Sequence, residues 1–280
     1  MFLTPKETVE QYINASISKS GQSIGKTAGK SVFAGMMIAM GAACSNVAVH
    51  AIDNVGVARL IAGCVFPVGL MMVILMGAEL FTGNCLMAVA VADKKISFLQ
   101  LVKVLVIVYL GNFVGGLLTA VLMQLSGQFN YSAGRLGAYT IKVAMGKTSV
   151  SFAQGISSGI LCNILVCAAV MMAMSSKDVT GKLLASFFVI LPFVTGGFEH
   201  CVANMYYIPA GLIAKCNPAY AEAAKEIYGL ADLSALNLFG FLVNNLIPVT
   251  IGNIIGGSFC IGLPMYYLNY KGNKKKEGEE

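Results

Sequence analysis

Gly77-Ala78-Glu79-Leu80-Phe81-Thr82-Gly83-Asn84 and Gly197-Phe198-Glu199-His200-Cys201-Val202-Ala203-Asn204 share one frame, Gly-x-Glu-x-x-x-x-Asn, at an offset of 204 − 84 = 120 residues. Both copies interrupt apolar runs of membrane length. A charge at a helix centre costs about 2.5 to 3.5 kcal/mol on insertion scales, so a carboxylate and an amide at that depth mark a path or a binding site. Broken helices at matching places in two halves of a chain are the pattern of a transporter or channel.

Working outward, the chain is 57% hydrophobic and 11% charged, and the apolar stretches recur along its whole length, which makes it an integral membrane protein. The first thirty residues carry Lys6, Glu7, Glu10, Lys19, Lys26 and Lys30 with no continuous apolar run, so internal spans are expected to direct insertion without a cleaved leader. Stretches long enough to cross run from Lys30 to Ala51, Val57 to Met76, Phe98 to Met123, Val150 to Met174, Leu183 to Val194 with its continuation, and Pro248 to Tyr267. The second and fifth resume after their glycines, each as two half-helices around an irregular turn that must be shielded by protein or line a cavity.

A second signature, Gly111-Asn112-Phe113-Val114-Gly115-Gly116 and Gly252-Asn253-Ile254-Ile255-Gly256-Gly257, falls in the third and sixth spans. The two halves are therefore repeats, and an odd number of spans per repeat inverts the second in the membrane. The expected fold is all-α, with six transmembrane helices in two inverted three-helix repeats and broken second and fifth helices. Its parts are an amphipathic N-terminal helix and linker (1–28), a first repeat (29–124), an outer loop (125–149), a second repeat (150–268) and a charged disordered tail (269–280). Thr4, Pro5 and Glu7 open the N-terminal helix as a capping box, and anchoring at the membrane surface is its simplest role. Thirteen of the nineteen Lys and Arg fall on the side of the N-terminus, which puts both termini in the cytoplasm by the positive-inside rule.

The residues at the breaks suit a small anion. A restarting half-helix offers unpaired N–H groups and a partial positive charge; Thr82, Asn84, His200 and Asn204 are the polar side chains there that could recognise a solute, and Asn253 could present its amide to the path. Lys147, just before the fourth span, can attract an anion from the outer side. Exposed carboxylates would repel it, so Glu79 and Glu199 are read as structural acceptors for backbone N–H groups at the breaks, with Asn84 and Asn204 beside them. The eight cysteines read as small buried hydrophobes, and two histidines without clustered thiolates leave no metal site and no cofactor.

The break motifs, Lys147, the Gly-Asn-x-x-Gly-Gly repeats and the six-span layout, all in order over nearly the whole chain, resemble the formate/nitrite transporter family, and within it the hydrosulfide channels of clostridia. The resemblance implies an aquaporin-like fold, a homopentamer with a pore in each subunit, and a mobile loop of Leu80, Phe81 and Thr82. It implies a cytoplasmic constriction at Phe66 and Leu70, and an outer one at Phe193, Asn163 and Val166. Where other members carry Thr-Ser, this chain has Thr82-Gly83, a departure bearing on gating and selectivity.

The function expected is a channel in the cytoplasmic membrane for small monovalent weak-acid anions, hydrosulfide first, with formate and nitrite also suited. The alternative is a proton-coupled symporter of formate, nitrite or another short monocarboxylate. An enzyme would need a nucleophile or metal held by Glu199 and His200, and the sequence supplies neither. The expected partners are the anion, the lipid bilayer and further copies of the chain, not nucleic acid.

Overall fold

The computed structural model describes residues 2–271, and among these the chain is helical apart from turns and one isolated bridge between Phe2 and Ser176. The charged tail beyond Lys271, with Lys274 to Lys276, lies outside the described residues. Six helical segments are long and apolar enough to cross a membrane. In chain order the elements are α1 (Pro5–Ser20) and α2 (Ile24–Val49), then α3 (Val55–Leu75), α4 (Phe81–Ala92) and α5 (Phe98–Leu125). There follow α6 (Arg135–Thr148), α7 (Phe152–Ser175), α8 (Val179–Gly196), α9 (Cys201–Lys215), α10 (Pro218–Tyr228) and α11 (Gly240–Lys271).

Local chemistry sets these ends. Ser97 with Gln100 and Ser151 with Gln154 form reciprocal capping boxes at the starts of α5 and α7. The first glycine of each break motif closes the preceding half-helix in the left-handed region, Gly77 at φ 66° and Gly197 at φ 70°. Beyond each, an N–H reaches back five residues, Ala78 to the Val73 carbonyl at 3.0 Å and Phe198 to the Phe193 carbonyl at 3.3 Å. That is the Schellman closure, and glycine is the residue that adopts it without strain. Both spans are therefore broken at the expected places.

The second signature explains how the repeats pack. A Cβ at Gly111 would strike Ser31 on α2, and one at Gly252 would strike the Ile156 carbonyl on α7, so each glycine lets third and first spans of its own repeat touch backbone to backbone. The last glycine of each run faces the other repeat. A Cβ at Gly116 would lie 2.8 Å from the Met205 carbonyl on α9, and one at Gly257 would lie 2.8 Å from the Cys85 Cβ on α4. The first and fourth spans correspond as well, because Gly35 abuts Asn112 as Gly159 abuts Gly252 and Asn253.

The structure revises several boundaries. The first span starts at Ile24, capped by Ser23. The sixth starts at Gly240 rather than Pro248, because widened π turns over Gly240–Leu246 absorb the carbonyl that proline leaves without a donor. The expected outer loop of 125–149 is mostly the helix α6, and the polar stretch from Lys215 to Asp232 holds α10. Helix α1 does not float at a membrane surface: Val9, Tyr12 and Ile13 are buried in the core, and Leu3 donates its N–H to the Ser175 carbonyl at 2.8 Å.

Helices α1 and α6 prove to be a further repeated element. Each ends shortly before the serine cap of its first span, and each delivers a lysine, Lys19 or Lys147, to the glutamate of the following break. The repeat is thus a cap helix plus three spans. Two vestibules result. An N-face vestibule of about 620 Å³ is walled partly by α1, and a far vestibule of about 480 Å³ is walled by α6 and the end of α10.

Candidate functional site: two helix breaks joined at a buried threonine and histidine

The breaks meet. Thr82 Oγ1 of the first lies 2.9 Å from His200 Nε2 of the second, both buried. His200 caps α9, accepting the Ala203 N–H on Nδ1 at 3.0 Å. A backbone N–H can only donate, so Nδ1 is unprotonated and the neutral ring carries its proton on Nε2, which donates to Thr82.

The turns are held by asparagines. Asn112 Oδ1 accepts the Phe81 N–H and Asn253 Oδ1 accepts the Cys201 N–H, both at 2.9 Å. Their amide nitrogens donate in parallel, Asn112 to the carbonyls of Ser31 and Glu79, Asn253 to those of Gly159 and Glu199. This overturns two expectations. The first N–H of each restarting helix is taken rather than free, and Asn253, with acceptor and both donors engaged, has nothing left for a solute.

The glutamates bind no backbone amide through their carboxylates either. Glu79 Oε2 accepts from Lys19 Nζ at 2.9 Å and Asn84 Nδ2 at 2.8 Å. Glu199 accepts from Lys147 Nζ at 3.0 Å, Asn204 Nδ2 at 2.6 Å and Asn245 Nδ2 at 3.1 Å. The asparagine that ends each motif therefore holds the glutamate that begins it, and a lysine neutralises the charge. Lys147 is no solvated loop residue: it ends α6, only 15% of its side chain is exposed, and it lies over the Tyr207 ring at 5.2 Å. Lys19 and Asn245 were not singled out from the sequence. Lys19 stands five residues before α2 as Lys147 does before α7, and Asn244-Asn245 are amides inside an apolar run; both were readable signals.

The expected constrictions divide differently. Phe66 lines the far vestibule with Phe193, ring centroids 5.6 Å apart and edge to face, rather than the side of Leu70. Leu70 and Leu80 line the N-face vestibule. Phe81 points away, packed edge to face on Tyr109 at 4.9 Å, and lines neither. Asn163 and Val166 line neither as well. Asn163 instead donates to the carbonyls of Thr82 and Asn253, tying the first break to α11. Gly83 borders the N-face vestibule in a helical turn, where an added Cβ would meet only Val170 at 3.6 Å. Gly83→Ser should fold and, by helix propensity, raise stability by about 0.5 kcal/mol; a lower melting temperature in detergent would refute that reading of the turn.

Between the vestibules stand Leu70 and Leu80 on one side, Phe66 and Phe193 on the other, and the Thr82–His200 contact in the middle. The arrangement offers a hydrogen-bond donor, the His200 Nε2–H, at the centre of an apolar collar.

Comparison with known proteins agrees. The family model for formate/nitrite transporters matches residues 6–267. The chain is 42% identical over 219 residues to the formate channel FocA of Haemophilus influenzae, covering 76% of this chain and 75% of that one. It is 33% identical over 288 residues to a probable formate transporter of Methanothermobacter thermautotrophicus, covering 96% and 98%. Among solved structures, one described as a pentameric formate channel with formate bound superposes with a TM-score of 0.79 at 35% identity, covering 88% of this chain and 97% of that one. Another, an FNT family ion channel, gives 0.80 at 27% identity, covering 94% and 98%. The two-vestibule fold, the matched breaks and these likenesses lead to one identification: this chain belongs to the formate/nitrite transporter family.

Proposed function

We propose that the protein is a channel for small monovalent weak-acid anions, with formate the first substrate to test. The observation that carries this reading is the buried Thr82–His200 contact, a polar link between the two breaks set in an apolar collar between two vestibules. Hydrosulfide, the anion expected first from the sequence, and nitrite are small enough for the same collar; formate takes precedence because relatives of this chain are named for it. Those names also favour a channel over a symporter. The basic residues around the N-face, with Lys19, Lys30, Lys177 and Lys182 at that vestibule, support a cytoplasmic N-face with both termini on that side by the positive-inside rule. Likeness to a structure described as a pentameric formate channel supports a homopentamer, and in this reading each subunit has its own pore.

In this mechanism an anion passes the phenylalanines and takes the Nε2–H of His200 in place of Thr82. His200 donates that hydrogen bond as a neutral ring. Protonating Nδ1 as well would set its N–H against that of Ala203 and uncap α9, so transfer of a proton from imidazolium needs the second break to move. Lys147 and Lys19, paired with their glutamates, keep the two approaches from turning negative.

Purified protein in liposomes should pass formate down its gradient. His200→Ala should lower the flux by about tenfold or more, as for loss of a hydrogen bond worth roughly 1.5 kcal/mol at the barrier, and Thr82→Phe should close the gap. Wild-type flux in both variants would sink the mechanism. Flux against pH separates channel from symporter, since a symporter's uptake follows the proton gradient.

A further inference from the structure

Asn46 on α2 lines the far vestibule and is only 5% exposed. Its Nδ2 has no acceptor, and no hydrogen bond to its side chain exists among the described residues. A buried amide donor without a partner is rare and costs stability unless something completes it. The same vestibule is lined by four cations, Arg59, Arg135, Lys142 and Lys147, against one carboxylate, Asp53. Asp53 is taken by Arg135 at 2.7 Å, and Lys147 is neutralised by Glu199. Among the described residues two cations are left without an acid. Lys142 rests on the faces of Tyr228 at 4.6 Å and Tyr139 at 5.5 Å, which position it without neutralising it. Arg59 donates one hydrogen bond, at 3.2 Å, to the Thr195 carbonyl beside the second break.

We propose that Asn46, Lys142 and Arg59 form a waiting site for a small oxyanion in the far vestibule, ahead of the phenylalanine collar. The proposal rests on the transport reading above and adds a substrate preference to it. A planar anion with two oxygens accepts from the amide with one and from a cation with the other. Hydrosulfide has a single soft acceptor and gains less. The site thus concentrates formate or nitrite over hydrosulfide without touching His200.

The test is uptake of sodium formate and of sodium hydrosulfide into liposomes holding the full chain, as wild type, Asn46→Leu and Lys142→Gln. Both variants should raise the half-saturating formate concentration about threefold to tenfold, the range for one lost hydrogen bond or one screened charge. The plateau flux should hold, and hydrosulfide uptake should move less. Binding is read separately in detergent from the broadening of the carbon-13 formate signal, which Asn46→Leu should reduce. Unchanged half-saturation and unchanged broadening in both variants overturn the site, as does an equal shift for both anions. Wild-type liposomes that pass neither anion sink the transport reading, and the broadening comparison still decides the site.

Discussion

Asn253→Leu and Asn112→Leu should each cost about 3 to 9 kcal/mol of stability, the sum expected when three buried backbone groups lose their partners at roughly 1 to 3 kcal/mol each. Each amide serves one N–H and two carbonyls at its break. Leucine fills the space without accepting or donating. The melting temperature of the purified protein in detergent should fall by roughly 10 °C or more. The two variants should lose similar amounts because the geometry is duplicated across the repeats. Aspartate at either position keeps the acceptor and should retain part of the loss. A leucine variant that melts like wild type would show that the breaks are held by packing alone.

The second large effect is at the far-side ion pair. Lys147→Met leaves Glu199 as an uncompensated carboxylate with 8% of its side chain exposed, and breaking a buried pair from one side typically costs about 3 to 5 kcal/mol. The double variant Lys147→Met with Glu199→Gln removes both charges and should recover most of that stability. Flux should separate the two. The single variant places a bare negative charge beside the far vestibule and should slow anion passage steeply at low salt, with less loss at high salt as screening grows. Glu199→Gln alone leaves the lysine unpaired and should spare flux while lowering stability. If the double variant is no more stable than Lys147→Met, the lysine acts by packing on Tyr207 rather than by charge.

Much of this was readable in the residues. Gly77 and Gly197, met as the first letters of a repeated frame, foretold both breaks, because a left-handed closing residue and a carboxylate inside an apolar run have few other uses. The Gly-Asn-x-x-Gly-Gly pairs foretold close contact between spans. What stayed hidden were partnerships across distance: Asn253 looked like a solute ligand because an amide in a span needs partners, and sequence does not say whether those partners are backbone or cargo. Lys147 looked like a loop residue because its helix is short and polar. Phe66 and Phe193 were set on opposite sides, although they close one collar.

From its sequence alone this protein had to be a membrane-embedded inverted repeat with two unwound midpoints, since the cost of polar groups in hydrocarbon leaves no other home for the frame. Only the tertiary structure decided which acceptor satisfies which N–H, and so which polar atoms remain for a passing anion. Periodicity and composition report the local preference of the backbone; the allocation of buried hydrogen bonds depends on segments brought together from about thirty to more than a hundred residues apart.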